Sequence, residues 1–459
     1  MKKEFPGHIF KAYDVRGVYP SEIDEDLAYK TGRAFVTFLK EEYKPKEKLE
    51  IVVSSDMRIS SPSLKESLIK GIIDQGANVI DIGLASTPTF YFAVAYYGYD
   101  GGIIVSASHN PKEYNGFKFV RRKARAVSKE TGIYNIRDLV EKNEFQKVEK
   151  GIITKRENVL ADQLKHDIKY ANTSGIKKFK IVLDPANAMG IQYLEAVFSM
   201  IPADIVKMNF ELDGTFPAHQ ADPLQDENVV DLKNRVLKEK GDLGITTDGD
   251  GDRIFFVDDK GEIVPPYILR GLLAKIFLRD KPGSYICYDI RPGRITRDII
   301  IENGGKPVIT RVGHSLIKEK MIEVDAFFAG ESSGHFFLRF DEGYYEAPII
   351  VILKILGELS SSGKSFSDLI KPYKKYYHSG EINSSVSDKV GVMKRLAEKF
   401  SDANDVNYLD GLTVEYDDFW FNVRPSNTEP LLRLNLEAKT KNKMIEMRDK
   451  IITIIGEKI

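Results

Sequence analysis

Three short β-branched runs, each closed by an aspartate, recur along this chain: Ile51-Val52-Val53-Ser54-Ser55-Asp56, Ile181-Val182-Leu183-Asp184 and Ile286-Cys287-Tyr288-Asp289. After a helical stretch each is followed by a second strand candidate, Val79–Ile82, Ile205–Met208 and Val308–Arg311. A third candidate then runs into a polar loop: Ile103–Val105 into Ser106–Pro111, Leu243–Thr247 into an Asp-rich turn, and Ala326–Phe328 into Gly330–His335. The aspartates stand 128 and then 105 residues apart, which predicts three similar α/β domains of about that size. Strands alternating with helices predict mixed or parallel sheets covered on both faces, with binding loops gathered at the strand C-terminal ends. The three polar loops fall there.

The tail changes character after about Tyr373. Gly411–Tyr416, Trp420–Val423 and Leu431–Glu437 read as short strands, the last alternating Leu432, Leu434 and Leu436 with Arg433, Asn435 and Glu437, and an amphipathic helix begins near Lys441. That pattern predicts a smaller antiparallel α+β domain with one solvated sheet face. The expected partition is 1–152, 153–262, 263–372 and 373–459. A chain of 459 residues requires several cores, since single cores stop growing at roughly 250–300 residues.

The most specific chemistry lies in Thr247-Asp248-Gly249-Asp250-Gly251-Asp252-Arg253. Three carboxylates at alternate positions, with glycines that let the turn tighten, suit a hard divalent cation such as Mg²⁺, and Arg253 adds a phosphate handle. An EF-hand starts with the same acidic spacing, but it needs glycine where Arg253 stands and helices on both flanks, whereas these flanks read as strands. Ser106-Ala107-Ser108-His109-Asn110-Pro111 supplies a hydroxyl nucleophile beside an imidazole. Arg424-Pro425-Ser426-Asn427-Thr428-Glu429-Pro430 combines a guanidinium, two hydroxyls, an amide and backbone donors fixed by two prolines, a set suited to cradling phosphate.

Charge balance excludes other partners. Lys plus Arg number 67 against 68 Asp plus Glu, a net charge of −1, so no global field draws the chain to nucleic acid or to a membrane surface. The single Cys287 rules out a disulfide framework and, inside an apolar strand, reads as a core residue. Met1–Phe10 lacks the apolar core of a signal peptide, and runs such as Ile349–Leu353 are far too short to cross a bilayer. A cytoplasmic protein is expected.

Taken in order, the phosphoserine-like turn, the tri-Asp loop, the Gly-Glu-Ser-Ser-Gly-His loop at 330–335 and the Arg-Pro-Ser-Asn-Thr-Glu-Pro loop resemble the α-D-phosphohexomutase family, most closely its phosphomannomutase/phosphoglucomutase branch. The resemblance runs end to end, through Phe10–Val18, Asn115-Gly116-Phe117-Lys118, Asp213–Pro217 and Val312-Gly313-His314. It implies a heart-shaped molecule with three similar α/β domains and a smaller fourth around a central cleft. It also implies interconversion of hexose 1- and 6-phosphates through a phosphorylated Ser108 and a bound hexose 1,6-bisphosphate, with glucose 1,6-bisphosphate as activator.

By motif match, Asp248, Asp250, Asp252 and an oxygen on Ser108 would hold Mg²⁺, while Arg16, Lys118 and Arg253 would neutralise phosphoryl charge. Lys118, His109 and His335 are each open as general acid or base; a lysine must first have its pKa lowered for that task. Glu331 and Ser333 would grip sugar hydroxyls, with Tyr13, Arg291 and His314 at further substrate positions. Arg424, Ser426, Asn427 and Thr428 would capture the non-reacting phosphate. Arg291 stands where a lysine is expected. Ser332 fits neither the Met of dual mannose/glucose enzymes nor the Gln of glucosamine mutases, whereas Tyr114–Lys118 and Tyr13–Gly17 favour mannose and glucose. Phosphoglucosamine mutase is the alternative. A metal-dependent sugar-phosphate phosphatase or a non-catalytic sensor fits less well, since a hydrolase gains little from a second phosphate site and a sensor needs no nucleophile. Oligomeric state is left open.

Overall fold

A computed structural model describes residues 5–426 and 431–456. Contacts divide the chain into two compact units. One takes in the chain up to Val264 together with Ser333–Leu369, the other Pro265–Ser332 and the chain from Ile370 onward.

In the first unit, β1 (Val15–Val18), β2 (Glu50–Ser55), β3 (Asn78–Leu84), β4 (Gly101–Val105), β5 (Tyr114–Arg121), β6 (Arg125–Ala126) and β7 (Ile153–Lys155) form a mixed sheet of order β1-β5-β4-β2-β3-β7, with β6 on β5. β2 is parallel to both β3 and β4, and β5 runs antiparallel to β4. The second sheet, β8 (Phe179–Asp184), β9 (Ala203–Lys207), β10 (Leu243–Thr247), β11 (Ile254–Val257) and β12 (Ile263–Val264), has order β12-β11-β10-β8-β9, again with the Asp-terminated strand parallel to both neighbours. In the second unit β13 (Tyr285–Asp289) is flanked in parallel by β14 (Lys306–Thr310) and β15 (Phe328–Gly330). The repeat is therefore topological: three times a central strand, followed at once by Asp56 or ending at Asp184 or Asp289, carries its second strand on one side and its third on the other. β15 begins two residues later than the sequence pattern suggests, at Phe328. The hairpin β16 (Phe336–Arg339) and β17 (Tyr344–Glu346) belongs to the first unit.

The C-terminal sheet is antiparallel: β18 (Tyr377–His378), β19 (Ile382–Ser385), β20 (Asp405–Asn407), β21 (Leu412–Glu415), β22 (Phe419–Pro425) and β23 (Leu431–Ala438), in order β18-β23-β22-β21-β20 with β19 on β23. Leu432, Leu434 and Leu436 face a core shared with Val414, Phe421 and Ile451. The fold is thus α/β with mixed sheets plus an antiparallel α+β tail, but the polar face expected to be solvated is largely covered, since Asn422, Asn435 and Glu437 are buried.

Helices start where the sequence caps them. The Asp24 carboxylate accepts from Leu27 N at 2.9 Å to open α1 (Glu25–Tyr43), and Ser86 caps α3 (Thr87–Tyr96), which follows α2 (Ser61–Asp74). α1 buries Phe35, Val36 and Leu39 against the first sheet, where Ile51, Val53, Ile103 and Phe117 are likewise closed to solvent. This leaves only the strand ends for chemistry. No helix of the described residues is long and apolar enough to cross a membrane.

Candidate active site

In the first unit the loops after β4 and β10 meet. Gly249 has to be a glycine, because a Cβ there would lie 2.2 Å from the Ser108 carbonyl oxygen, and Gly251 turns the chain at φ +73°. The turn brings one carboxylate oxygen from each of Asp248, Asp250 and Asp252 within 4.8 Å of the others, all three side chains being buried. Burial, reinforced by Asp252 and Asp250, pushes the Asp248 carboxyl up to about 8.

Lys118 answers this charge. It comes from β5, and its Nζ donates to Asp250 Oδ2 at 2.5 Å and to Asp252 Oδ2 at 2.7 Å. Burial alone would lower the ammonium's pKa, but the two aspartates outweigh it and raise it well above the ordinary lysine value. In this arrangement Lys118 is a positive charge held between the two aspartates. Asp252, although buried, is held well below the usual carboxylate range by Lys118 and His335. Asp250 Oδ2 also accepts from Thr87 Oγ1 at 2.7 Å, while its buried Oδ1 has no hydrogen-bond partner among the described residues. An all-oxygen donor set with an unfilled lone pair fits a divalent cation.

Ser108 sits at φ +51°, in the left-handed region that costs a non-glycine residue roughly 1–2 kcal/mol. The carbonyls of this loop are gripped by Arg58, a residue the sequence reading missed. Its fully buried guanidinium donates to the carbonyls of Ser108 (2.8 Å), Asn110 (2.6 Å), Pro111 (2.7 Å) and Tyr114 (3.0 Å), and to Asp56 Oδ2 at 3.2 Å. Asp56 Oδ1 accepts from Arg58 N and from Ser61 Oγ. The loop is thereby held with Ser108 Oγ donating to Asp248 Oδ2 at 2.8 Å and lying 3.3 Å from His109 Nδ1. Burial, followed by the charges of Arg253 and Arg16, holds the His109 imidazole well below its ordinary pKa, hence neutral.

Two arginines complete this half. Arg16 donates to Asp14 Oδ2 at 2.7 Å and to Asn110 Oδ1 at 2.5 Å. Arg253 gives its backbone N–H to Asp248 Oδ1 at 3.2 Å, but its buried Nε and Nη1 donate to nothing among the described residues, the nearest carboxylates being Asp248 at 3.8 Å and Asp222 at 3.9 Å. Buried, unfilled guanidinium donors beside a serine hydroxyl are suited to an anion. His335 Nε2 lies 3.1 Å from Asp252 Oδ1, Ser333 Oγ 3.1 Å from His335 Nδ1, and Gly334 O accepts from Ile254 N, which ties this loop to the strand leaving the Asp turn. Buried Glu346, not singled out from sequence, offers an oxygen within 4.8 Å of ligand atoms on Asp252 and His335. Tyr13 is half-buried just before β1.

The remaining expected site residues lie in the second unit. Asp289, the third strand-terminal aspartate, receives Arg291 Nε at 2.6 Å, Arg270 Nη1 at 2.7 Å, and both the backbone N–H and the hydroxyl of Ser332. The Ser332 side chain is thus committed to anchoring its loop. Buried Glu331 accepts from Gly313 N at 2.8 Å, beside His314, the first residue of the helix His314–Val324. Arg424 donates to Glu381 Oε2 at 2.9 Å, and Ser426 is buried just after β22. Asn427 and Thr428 lie outside the described residues.

The chain belongs to the phosphoglucomutase/phosphomannomutase family, whose α/β/α domains I, II and III match residues 7–147, 159–261 and 265–376 and whose C-terminal domain matches 381–454. It is a hexose phosphate mutase, an isomerase that works by phosphoryl transfer. It is 40% identical over 451 residues to a phosphomannomutase of Vibrio cholerae, covering 96% of each chain, and 38% identical to one of Methanocaldococcus jannaschii, covering 98% of each. A solved phosphoglucomutase/phosphomannomutase family protein from Burkholderia thailandensis superposes with TM-score 0.89 at 29% identity, over 98% of this chain and 97% of that one.

Proposed function

We propose that this chain interconverts the 1- and 6-phosphates of mannose and of glucose, in the cytoplasm, with Mg²⁺ at Asp248, Asp250 and Asp252 and with glucose 1,6-bisphosphate as activator. The observation that carries the reading is Ser108 Oγ, 2.8 Å from the tri-Asp cluster and beside the unfilled Arg253 guanidinium. Phosphoryl transfer asks mainly for positioning and charge neutralisation, and this cluster is built for both. We assign four domains, 1–152, 153–262, 263–372 and 373–459, carrying in turn the nucleophile, the cation loop, the sugar loop and the distal phosphate loop.

In the reaction, a hydroxyl oxygen of the sugar monophosphate attacks the phosphorus carried on Ser108; the new P–O bond forms as the bond to Ser108 Oγ breaks, the hydroxyl proton passes to a general base drawn from His109, His335 and Lys118, and the freed Ser108 oxygen takes up a proton. The sugar, now a bisphosphate, presents its other phosphoryl group, and Ser108 Oγ takes it in the reverse step. Arg16, Lys118 and Arg253 balance the charge on the migrating group. His109, neutral and 3.3 Å from Ser108 Oγ, is placed to accept a proton there, and His335 is fixed between Ser333 and Asp252. A divalent cation held by the three aspartates would polarise the phosphoryl oxygens and stabilise the serine oxygen as it leaves. Glu331 and Ser333 would hold sugar hydroxyls, Tyr13, Arg291 and His314 further parts of the substrate, and Arg424, Ser426, Asn427 and Thr428 the phosphate that does not react.

Incubation with glucose 1-phosphate, Mg²⁺ and a trace of glucose 1,6-bisphosphate tests the reading. Glucose 6-phosphate is expected; free phosphate would mean a phosphatase, and no product a sensor. Mannose 1-phosphate should turn over as well, with glucosamine 1-phosphate poorer in kcat/KM. A clear preference for glucosamine would reverse the assignment of sugar.

A further inference from the structure

The cationic end of the second unit already holds an anion of its own. The register of β22 against β23 sets Arg424 opposite Arg433, so two guanidiniums stand side by side. Glu381, in the turn before β19, places Oε2 2.9 Å from Arg424 Nη2 and Oε1 3.4 Å from Arg433 Nη1, and Asn435 Nδ2 donates to the same Oε2 at 3.2 Å. Arg424 is sunk in the protein, its side chain 4% exposed, whereas the Glu381 side chain above it is 30% exposed. Arg424 Nε is buried without a hydrogen-bond partner among the described residues, so the carboxylate does not fill the guanidinium's fork. Charge crowding is evident. Burial and then Arg291 lower the Arg424 pKa, while Glu381, which burial alone would raise, is brought below the usual carboxylate range by Arg424 and Arg291.

We propose that Glu381 is a built-in stand-in for phosphate: it occupies Arg424 and Arg433 when no ligand does, and a phosphate group enters by exchange with its carboxylate. This rests on the assignment of Arg424 to the distal phosphate. The carboxylate and a phosphate share the property the arginines recognise, oxygens spaced to meet parallel N–H donors. Only Glu381 is tethered, so it competes without leaving. Its effect is to lower apparent phosphate affinity by the fraction of molecules in which Arg424 is already engaged. A mutase gains from that weakening. Its bisphosphate intermediate must let go of this site in order to present its other end to Ser108, and a site with the buried Arg424 and the partly buried Arg433 both unneutralised would hold a dianion too long.

Glu381→Gln keeps the shape and removes the charge. The expected result is tighter binding of glucose 6-phosphate by calorimetry, roughly threefold to thirtyfold given the modest worth of a partly exposed ion pair. A lower KM together with a lower kcat should accompany it, since release is slowed. Without ligand the variant should melt lower than wild type, because the arginines lose their counter-ion, and inorganic phosphate should restore it by a larger margin than in wild type. Glu381→Asp should return intermediate values. A structural role alone would lower the melting temperature with no change in phosphate dependence, and that outcome overturns the proposal. Arg424→Ala, alone and combined with Glu381→Gln, separates the two layers. If Arg424→Ala leaves glucose 6-phosphate affinity unchanged, the phosphate assignment itself fails. If it weakens binding but Glu381→Gln alone does not tighten it, the assignment stands and the stand-in role is wrong.

Discussion

Arg58→Met should cripple this enzyme without touching any group that meets the substrate. The guanidinium is fully buried and makes five hydrogen bonds, four to carbonyls of the Ser108–Tyr114 segment and one to Asp56, and it stacks 5.0 Å from the Phe216 ring. Methionine restores much of the volume and none of the donors. Asp56 keeps Ser61 Oγ at 2.6 Å and the residue-58 N–H at 3.0 Å, so its carboxylate is not stranded. The carbonyls of Asn110, Pro111 and Tyr114 are only partly buried and can turn to water, whereas that of Ser108 is buried. The cost should therefore resemble a broken buried pair, about 3–5 kcal/mol, and not the sum of five charged hydrogen bonds. At roughly 2–4 °C per kcal/mol this lowers the unfolding temperature of its unit by about 6–20 °C. Turnover should fall further than stability explains, by roughly 10²-fold at a temperature where the variant is fully folded, because Ser108 loses the grip on its carbonyl and a misplacement near 1 Å costs that much. Calorimetric melts together with kcat at low temperature provide the measurement. A loss under about 1 kcal/mol with kcat within twofold of wild type would refute the idea that this arginine sets the nucleophile's position.

Ser108→Ala should lower kcat by roughly 10⁴–10⁶-fold, with an unfolding temperature within a few degrees of wild type, since among the described residues the hydroxyl's partners are Asp248 and His109; ³²P transfer to the protein should vanish with it. Asp250→Asn should weaken Mg²⁺ or Mn²⁺ binding by roughly 10- to 100-fold in calorimetric titration, because one anionic donor becomes neutral; unchanged affinity would remove the Asp loop from the cation site. His378, whose buried Nε2 has no hydrogen-bond partner among the described residues, has its pKa lowered by burial to about 4. Folded protein thus refuses a proton that the unfolded chain takes at about 6.5, so stability is full above that pH, declines as pH falls toward 4, and levels off below. The ceiling is about 3 kcal/mol, and urea titrations of wild type and His378→Phe should differ in slope only within that window.

The fold was legible because burial imposes periodicity. Parallel strands closed on both faces must be apolar and β-branched throughout, which is why Ile51–Val53, Ile181–Leu183 and Ile286–Tyr288 announce themselves. The Asp loop was legible because three carboxylates at alternate positions have few other reasons to exist. Arg58, Arg270 and Glu381 were not, since a lone charged residue has the same local signature whether it lies on the surface or, as Arg58 and Arg270 do, is completely enclosed. What selects their role is a partner far along the chain: Asn110 for Arg58, Gly330 for Arg270, Arg424 for Glu381.

One signal for two of them was present all along. Each Asp-terminated strand was read as a marker of repetition, yet in the structure each aspartate anchors the next loop. Asp56 binds Arg58 and Ser61, Asp184 binds Ala186 N and Asn209, and Asp289 binds Arg270, Arg291 and Ser332. A carboxylate at the C-terminal end of a buried parallel strand cannot remain unpaired, so it must collect donors from the loops around it. In the first and third repeats those donors include a completely buried arginine: Arg58 also donates to carbonyls of the Ser108–Tyr114 segment, and Arg270 to Gly330 O, to Pro292 O and to the Thr296 hydroxyl. In the second repeat no arginine among the described residues takes that place, and His219 Nε2 approaches Asp184 at 3.1 Å instead. The loop after β10 carries its own charge and needs cations supplied from Lys118 and Arg253, so its order comes from the cluster it holds, whereas the first and third loops carry little charge and must be fixed from beneath.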